Sequence, residues 1–351
     1  MVRKSIVLVV YALDREDKVF SHQLEIAAFL ATKFERVVIL AGRVGQYNLP
    51  GNVEIINYQW ISGQKFRNIV KFLFTYLNAI FRNLDAIIFF HMTDIQAMIG
   101  APISFIFRQK IYLWYAHASL SFALRISSFF VKNIVTSTYG SCPIQSKKTK
   151  NIGQSIDEVK FKYFERDSWE RLIHYSRFDE SKNLHKLVDA ALILRNYNPK
   201  ITLTLIGDPS SKQSFQYKSN FELKYKEHLD EGWLLIQRGL NRDSLPEILL
   251  QYDVFLHAFQ GSLDKTTIEA TLSGLPVITV NREYLNEFGS WQNRKISSGK
   301  DSIKFLVLEY INFLSLSTEQ KKLQLNLRRN LAINSHSKTH WESTIMEVLT
   351  K

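Results

Sequence analysis

The stretch Tyr252–Val280, YDVFLHAFQGSLDKTTIEATLSGLPVITV, decides the fold of this chain. Its apolar run Val254–Leu256 predicts a short buried strand, and Gly261 permits the sharp turn that follows. Asp264 is placed to cap the next helix, and Gly274 suits the end of that helix. A second apolar run, LPVI, begins another strand. A strand, a helix and a strand in this order are typical of a parallel α/β sheet.

The start of this helix has the chemistry of an anion site. A helix that opens at a small-residue loop presents unpaired N–H groups and the positive end of its dipole. The loop and first turn comprise Gly261, Ser262, Leu263, Asp264, Lys265, Thr266 and Thr267. Glu269 lies one turn further on, where a carboxylate can bind ribose hydroxyls. Two interpretations stay open: a sugar-nucleotide site, or an ordinary strand–helix–strand unit whose acid is solvated.

A second candidate segment is residues 174–194, HYSRFDESKNLHKLVDAALIL. It predicts a short strand, a turn and an amphipathic helix. The helix has apolar residues at helical spacing, namely Leu184, Leu187, Val188, Ala191 and Leu194. Arg177 and Lys182 flank the turn. A surface Arg and Lys near a turn are common, and cations fixed at such a place can also stabilise negative charge that develops in a transition state.

The N-terminal half begins like another parallel sheet. Residues 5–13 form an apolar run, residues 22–34 an expected helix, and residues 37–42 a second expected strand. The G-x-G-x-x-G dinucleotide fingerprint is missing from this βαβ start. Residues 87–94 and 111–119 predict later strands with polar residues at their C-terminal ends. Open α/β sheets bind ligands at that edge.

Three histidines of the N-terminal half are candidates for a site. His117 follows one of these expected strands, His91 lies near the end of another, and His22 begins the first helix. A lone histidine is more often structural, so the case for His22 and His91 is the weaker one.

The segment around Glu269 resembles the donor-binding signature of GT-B glycosyltransferases of the family 4 type (glycosyl transferases group 1). Glu269-Ala270, Gly274 and Pro276-Val277 match the second half of its pattern, E-x7-E-A followed by G-x-P-V. The first acid would fall at Gly261, where this chain has no carboxylate. The run G-S-L-D-K resembles a subgroup variant that lacks this acid. Our hypothesis is that Asp264 or Lys265 takes over part of its role.

The resemblance implies roles for the other candidates. Arg177 and Lys182 would hold the donor diphosphate, and Glu269 the ribose hydroxyls. His117 would contact the donor sugar, with His22 and His91 on the acceptor side. The segment 151–161, NIGQSIDEVKF, resembles the I-P-N-G-I-D hinge into the second domain, with Gln-Ser in place of Asn-Gly.

The resemblance also implies a fold: an α/β GT-B protein with two facing Rossmann-like domains, parallel sheets and an interdomain cleft. We expect residues 1–158 to form the acceptor-side domain and residues 159–335 the donor-binding domain. Residues 336–351 carry Trp341, Ile345 and Val348 at helical spacing. This final helix would cross back onto the N-terminal domain; the alternative is a simple docking helix.

The implied activity is retaining transfer of a sugar from a nucleoside-diphosphate sugar to a hydroxyl of a glycan or lipid-linked glycan. It would serve polysaccharide or cell-surface glycan biosynthesis, with no metal ion and no cofactor. Alternatives are a GT-B sugar-nucleotide epimerase and a catalytically inactive nucleotide-sugar-binding protein. A basic nucleic-acid-binding protein is a third rival, but no helix-turn-helix, zinc-finger or RNP motif supports it.

Composition bounds the partners and the compartment. The 351-residue chain has a formal net charge of +12, which favours an anionic partner. Residues 65–83 combine apolar and basic side chains, as an interfacial membrane helix or a core helix with basic flanks would. A single cysteine, Cys142, fits a reducing compartment. Met1–Lys4 is basic, but no signal peptide is indicated. We expect a cytoplasmic protein, peripheral at the inner face of the membrane.

Overall fold

The computed structural model describes residues 5–17, 20–241, 243–291 and 301–351. The basic start, Met1–Lys4, lies outside these ranges. The chain divides into two compact units, residues 1–153 with 341–351, and residues 154–340.

The first unit is built on a seven-stranded parallel sheet in the order β3-β2-β1-β4-β5-β6-β7. Its elements are β1 (Ser5–Leu13), α1 (His22–Lys33), β2 (Arg36–Val44), β3 (Val53–Asn57), α2 (Lys65–Phe81), β4 (Ile87–His91), α3 (Asp94–Ile106), β5 (Ile111–Trp114), α4 (Phe122–Phe130), β6 (Asn133–Thr136) and β7 (Thr149–Asn151), with a 3-10 turn at Tyr139–Ser141.

Strand β1 shows how this sheet is covered on both faces. Ile6 and Leu8 point to one face and Val7 and Val9 to the other, because successive side chains of a strand alternate. The Ile6 face packs against α1 and the last helix of the chain. The Val7 face packs against α2, α3 and α4. A strand buried on both sides explains the uninterrupted apolar run at residues 5–13.

The second unit is built on a five-stranded parallel sheet in the order β10-β9-β8-β11-β12. Its elements are β8 (Arg171–Tyr175), α5 (Leu184–Arg195), β9 (Thr202–Ile206), α6 (Lys212–Lys224), α7 (Lys226–Asp230), β10 (Leu234–Gln237), α8 (Leu245–Leu249), β11 (Val254–His257), α9 (Lys265–Leu272), β12 (Val277–Thr279), α10 (Arg282–Phe288), α11 (Ser302–Ser315) and α12 (Thr318–His336), with a 3-10 turn at Glu180–Lys182. Helix α13 (Lys338–Thr350) follows, and from Trp341 onward it belongs to the first unit.

The second sheet is also buried on both faces. Leu172 and Leu256 pack against α5 and α11, whereas Ile173 and Phe255 pack against α8, α9 and α10. All five apolar residues proposed from the spacing in α5 are buried. Two parallel sheets, each with helices on both faces, confirm the expected α/β fold of two Rossmann-like halves.

Each sheet has a topological switch point, where the strand order reverses. It lies between β1 and β4 in the first unit and between β8 and β11 in the second. Open α/β sheets bind ligands at the carboxyl ends of the strands at such points. None of the described helices combines the length and apolar character needed to cross a bilayer.

Candidate functional site

The site of the second unit is formed by the loops that follow β8 and β11. These strands are neighbours, so their carboxyl ends bring residues 176–183 and 258–264 together. Asn183 joins the two loops, since its side-chain amide donates to the carbonyl of Ala258 at 3.2 Å. Asn183 has a φ of 54°, a left-handed conformation that asparagine tolerates better than most residues.

Helix α9 starts where the sequence predicts. Asp264 is its N-cap, and the carboxylate accepts from the backbone N–H of Thr266 at 3.4 Å. The hydroxyl of Thr267 donates to the carbonyl of Asp264 at 2.7 Å. The helix ends at Leu272. Gly274 follows with a φ of +77°, a backbone conformation that residues with a side chain rarely adopt.

The loop before α9 is held by two amide side chains. Asn281 donates to the carbonyls of Gly261 and Ser262, at 3.1 and 3.3 Å. Gln154 donates to the carbonyl of Leu263 at 2.7 Å. The loop is therefore fixed through its carbonyl groups by residues outside it.

Lys182 and Asp264 form an ion pair at the start of α9. Their Nζ and Oδ2 atoms are 2.5 Å apart, and Lys182 is only 8% exposed. The ammonium also lies 4.1 Å from the centre of the Phe259 ring, within reach of a cation–π interaction. Burial alone would raise the pKa of Asp264, but the charge of Lys182 and the neighbouring His257 outweigh it and hold this pKa well below its usual range.

Two buried histidines lie beneath this ion pair. His257 Nε2 is 3.6 Å from Asp264 Oδ2, and its Nδ1 is 2.8 Å from the hydroxyl of Thr279. The His174 ring is 5.9 Å from that of His257, and its Nδ1 donates to the carbonyl of Leu256 at 2.7 Å. Burial lowers the pKa of both rings, that of His174 to about 3. The His257 imidazole thus lies against the ion pair, and burial disfavours the charged form of both rings.

Glu269 lies inside α9 and is 1% exposed. Its Oε2 atom accepts a hydrogen bond from the hydroxyl of Tyr175 at 3.0 Å, and that hydroxyl also lies 3.0 Å from the carbonyl of Thr266. Tyr175 therefore links the end of β8 to the first turns of α9 and fixes the orientation of the Glu269 carboxylate.

Arg177 lies on the same loop as Lys182 but is exposed. The pKa of Asp179 is lowered, first by a hydrogen bond from Ser181 and then, against the effect of burial, by the charges of Arg177 and Lys182. Both cations therefore act on one carboxylate at the end of β8. The structure gathers Lys182, Asp264 and Glu269 at the start of α9, whereas Arg177 is exposed and acts on Asp179 in the loop after β8.

Gly261, where the family pattern has its first acid, faces the Phe259 ring. A Cβ atom placed on Gly261 would lie 2.2 Å from the tip of that ring. A carboxylic acid at this position would require Phe259 to move, and Phe259 is also the ring that contacts the Lys182 ammonium. The loss of the acid and the presence of Phe259 are thus sterically linked.

The histidine candidates of the first unit lie near its switch point. The rings of His22 and His91 are 5.6 Å apart, and the His91 ring stacks on Trp114 at 5.7 Å. Gln23 lies between β1 and His91: its Oε1 accepts from the N–H of Ala12 at 3.0 Å, and its Nε2 lies 3.3 Å from His91 Nδ1.

His117 lies three residues beyond the end of β5 and is exposed. Its ring is 5.4 Å from that of Tyr115, edge to face. Partial desolvation lowers the pKa of His117, and the negative charge of Asp94 opposes this effect. The imidazole is therefore biased toward its neutral form.

The sequence reasoning missed His174, Tyr175 and His257, which contact or surround the proposed donor-binding residues. The available signal was that each of them stands at the carboxyl end of an apolar strand, where ligand sites occur. In the described part of the chain, no group of three or more His, Cys, Asp or Glu side chains is arranged to hold a metal ion.

Comparisons with known proteins agree with this architecture. Residues 155–326 match the family model described as glycosyl transferases group 1. The structure is similar to Anabaena HepE in complex with UDP-glucose, with a TM-score of 0.74, 18% identity and 98% coverage of each chain. No curated protein sequence is significantly similar to this chain.

Two further solved structures are similar at comparable length. A glycosyltransferase from Rickettsia africae has a TM-score of 0.73 and 12% identity, with 98% of each chain covered. The sucrose-phosphate synthase of Thermosynechococcus elongatus has a TM-score of 0.74 and 14% identity, with 99% of this chain and 98% of that chain covered. The chain therefore has the α/β GT-B fold, and residues 155–326 of its second unit match the model of the glycosyl transferases group 1 family.

Proposed function

We propose that the protein is a retaining glycosyltransferase that moves a sugar from a nucleoside-diphosphate sugar to a hydroxyl of a glycan or lipid-linked glycan, without a metal ion. The observation that carries the proposal is the start of α9. There a buried ammonium, a helix N-terminus and the carboxylate of Glu269 converge at the switch point of the sheet. This combination suits a diphosphate next to a ribose.

Stabilisation of the leaving group is the main chemical contribution that these residues can make. Transfer breaks the bond between the anomeric carbon and the diphosphate oxygen and forms a bond to the acceptor oxygen. Negative charge grows on the diphosphate as the first bond breaks, so Lys182 and Arg177 stabilise the transition state more than the bound donor. The resemblance implies that the departing phosphate takes the acceptor proton.

The ion pair of the ligand-free protein bears on donor binding. Because Lys182 already holds Asp264, a donor phosphate must compete with that carboxylate or share the ammonium with it. Arg177 is exposed and therefore available for the first contact. We propose that Arg177 captures the diphosphate and that Lys182 neutralises it near the reacting bond.

The nucleoside side of the proposed site involves Glu269. Glu269 is 1% exposed, and its carboxylate accepts a hydrogen bond from the hydroxyl of Tyr175. Ribose hydroxyls can therefore reach this carboxylate only if Tyr175 or the loop beside it moves. Tyr175 is then a positioning residue for this contact. On the sugar side we propose His117, and on the acceptor side His22 and His91, as the resemblance implies.

We further propose a role in polysaccharide or cell-surface glycan biosynthesis, with the protein in the cytoplasm and peripheral at the inner membrane face. The net charge of +12 supports an anionic partner of this kind. A lipid-linked acceptor would place the reaction at the same surface.

The test is a thermal-shift screen against UDP-, GDP- and ADP-sugars, followed by a donor-hydrolysis assay on any hit. UDP-glucose is the first donor to try, because the similar HepE structure contains it. Binding should raise the melting temperature with one nucleotide preferred over the others. Arg177→Ala should remove the shift, while Lys200→Ala, an exposed cation just before β9, should keep it.

The same screen separates the rival functions. Interconversion of a UDP-sugar without any acceptor would identify an epimerase. A clear shift without hydrolysis or transfer would identify an inactive nucleotide-sugar-binding protein, the alternative that the missing acid at Gly261 keeps open. A ligand-induced shift in melting temperature that is unchanged in Arg177→Ala would contradict the proposed diphosphate contact.

A further inference from the structure

Helices α2, α3 and α4 form a layer over one face of the first sheet. Large apolar side chains also lie on the outer side of this layer. Phe66, Phe74 and Phe81 are at helical spacing on the side of α2 opposite its buried residues Phe72 and Tyr76. All three are more than half exposed. Helix α2 is therefore apolar on both sides, which a helix on a surface in water does not require.

The apolar outer side continues onto the neighbouring helices. The Phe81 ring is 5.4 Å from that of Phe107, just after α3, and the Phe105 ring is 5.7 Å from that of Phe130 in α4. We define the outer apolar face by six residues that are 58–81% exposed, namely Phe66, Phe74, Phe81, Ile106, Phe122 and Phe129. Single exposed hydrophobic residues are ordinary, but six of them on the outer sides of three adjacent helices mark an interaction surface.

The charge around the outer apolar face is strongly positive. Residues 65–132 contain eight Lys or Arg residues and only two acids, Asp85 and Asp94, a formal net charge of +6. Arg82, Arg108 and Arg125 are exposed next to the aromatic residues. One of the two acids is engaged, because Asp94 accepts a hydrogen bond from the hydroxyl of Ser121 at 2.6 Å.

This charge distribution selects the partner. A second copy of the chain, packed face to face, would bring two sets of cations together, and like charges oppose such a dimer. An anionic lipid surface supplies the opposite charge and an apolar layer at the depth that aromatic side chains prefer. We propose that the outer apolar face of α2, α3 and α4 docks on an anionic phospholipid bilayer, with the phenylalanines inserted and the arginines on the phosphates.

The inference deepens the membrane location proposed above and rests on it for its biological role. It assigns the contact to three helices rather than to residues 65–83 alone. Vesicle binding is measured without donor or acceptor, so a failure of docking and a failure of sugar transfer can be told apart.

The experiment is flotation of the full chain with vesicles of phosphatidylcholine, with or without phosphatidylglycerol. The wild type should float with the anionic vesicles only, and added salt should weaken the binding. The triple variant Phe74→Ser/Phe81→Ser/Ile106→Ser should bind at least about tenfold more weakly, because each lost side chain removes apolar area from the bilayer. Arg82→Gln/Arg108→Gln/Arg125→Gln should lose the preference for anionic vesicles.

The matched control is Phe215→Ser/Leu223→Ser in α6 of the second unit, where both side chains are also more than half exposed. This variant should bind vesicles like the wild type, and thermal unfolding should show that all the variants fold. Wild-type protein that does not float, or a triple variant that floats equally well, would overturn the proposal. A dimer in solution that the triple variant abolishes would instead assign the face to a second copy.

Discussion

At the scale of single residues, the Lys182–Asp264 pair is the feature on which the candidate site depends. Neither side chain is well hydrated, since the exposed fraction of the side chain is 10% for Lys182 and 14% for Asp264. The ammonium of Lys182 holds the pKa of Asp264 well below its usual range despite this burial. Asp264 also caps α9, so one carboxylate both neutralises the cation and fixes the start of the helix.

Removal of one partner should consequently lower the free energy of unfolding more than removal of both. We expect Asp264→Ala to destabilise the second unit by about 3–5 kcal/mol, because it leaves a buried ammonium without its partner and α9 without its cap. Lys182→Met/Asp264→Ala should be less destabilised than Asp264→Ala alone. Urea unfolding followed by fluorescence measures both free energies. A double variant at least as unstable as Asp264→Ala would show that the pairing contributes little.

Only part of this site could be predicted from the sequence, and the reason is physical. Asp264 and the first turn of α9 follow from local capping rules, which depend only on neighbours along the chain. The partner of Asp264 is Lys182, on another strand, and their meeting depends on the pairing of β8 with β11. The position of Phe259 in front of Gly261 is likewise a product of packing.

At the scale of elements, β8 and β11 place two histidines in the interior, and this has a consequence for pH. The folded-state pKa of His174, about 3, is far below the value near 6.5 expected in the unfolded chain. Between those values the unfolded chain binds more protons, so the free energy of unfolding rises as pH rises through this window. The contribution is complete above about pH 6.5 and is lost as pH falls toward 3. Burial also lowers the pKa of His257.

We therefore expect the second unit to lose stability on mild acidification. Between pH 7 and pH 5.5, His174 should lower the free energy of unfolding by about 1 kcal/mol. Urea midpoints at the two values measure this change. His174→Gln should reduce the pH dependence, whereas His228→Gln, which changes a partly exposed histidine of α7, should preserve it. An identical pH dependence in His174→Gln and the wild type would assign the effect to other groups.

Helix α2 could be predicted from its sequence pattern, but its buried side could not. Its sequence predicts a helix, and the structure has one at Lys65–Phe81. The pattern could not indicate which apolar side is buried, because Phe66, Phe74 and Phe81 form a stripe as regular as the one through Phe72 and Tyr76. Only the packing against β2 and β4 selects the inner side.

The hinge segment that leads into the second unit could also be predicted in part from the sequence. The hinge segment has Ser155 where the family pattern has glycine, and the structure gives Ser155 a φ of 57°. The left-handed conformation is the reason that glycine suits this position. Ile156 then pairs with the end of α12, its N–H donating to the carbonyl of His336 at 2.9 Å. The start and the end of the second unit are thus tied together.

At the scale of the whole molecule, the chain leaves the first unit at residue 153 and re-enters it at residue 341. The returning segment contributes to the core of the first unit, where Trp341, Ile345 and Leu349 are buried. The Trp341 ring lies 6.2 Å from that of Phe29 and 6.0 Å from that of Trp114. The hydroxyl of Tyr112 donates to the carbonyl of Leu349 at 3.3 Å. The core of the first unit therefore includes side chains from the returning segment 341–351.

A single change at Trp341 should test this dependence. Trp341→Ala removes a fully buried side chain and should destabilise the first unit by about 3–5 kcal/mol. Hydrogen exchange resolved by peptide locates the effect: amides of β1 and β4 should exchange faster, and those of β9 and β11 should keep their wild-type rates. Ile193→Ala, on the solvent side of α5, is the control and should leave both sheets protected. Equal acceleration in both sheets would mean that the two units unfold together, because the loss of one core would then be transmitted to the other.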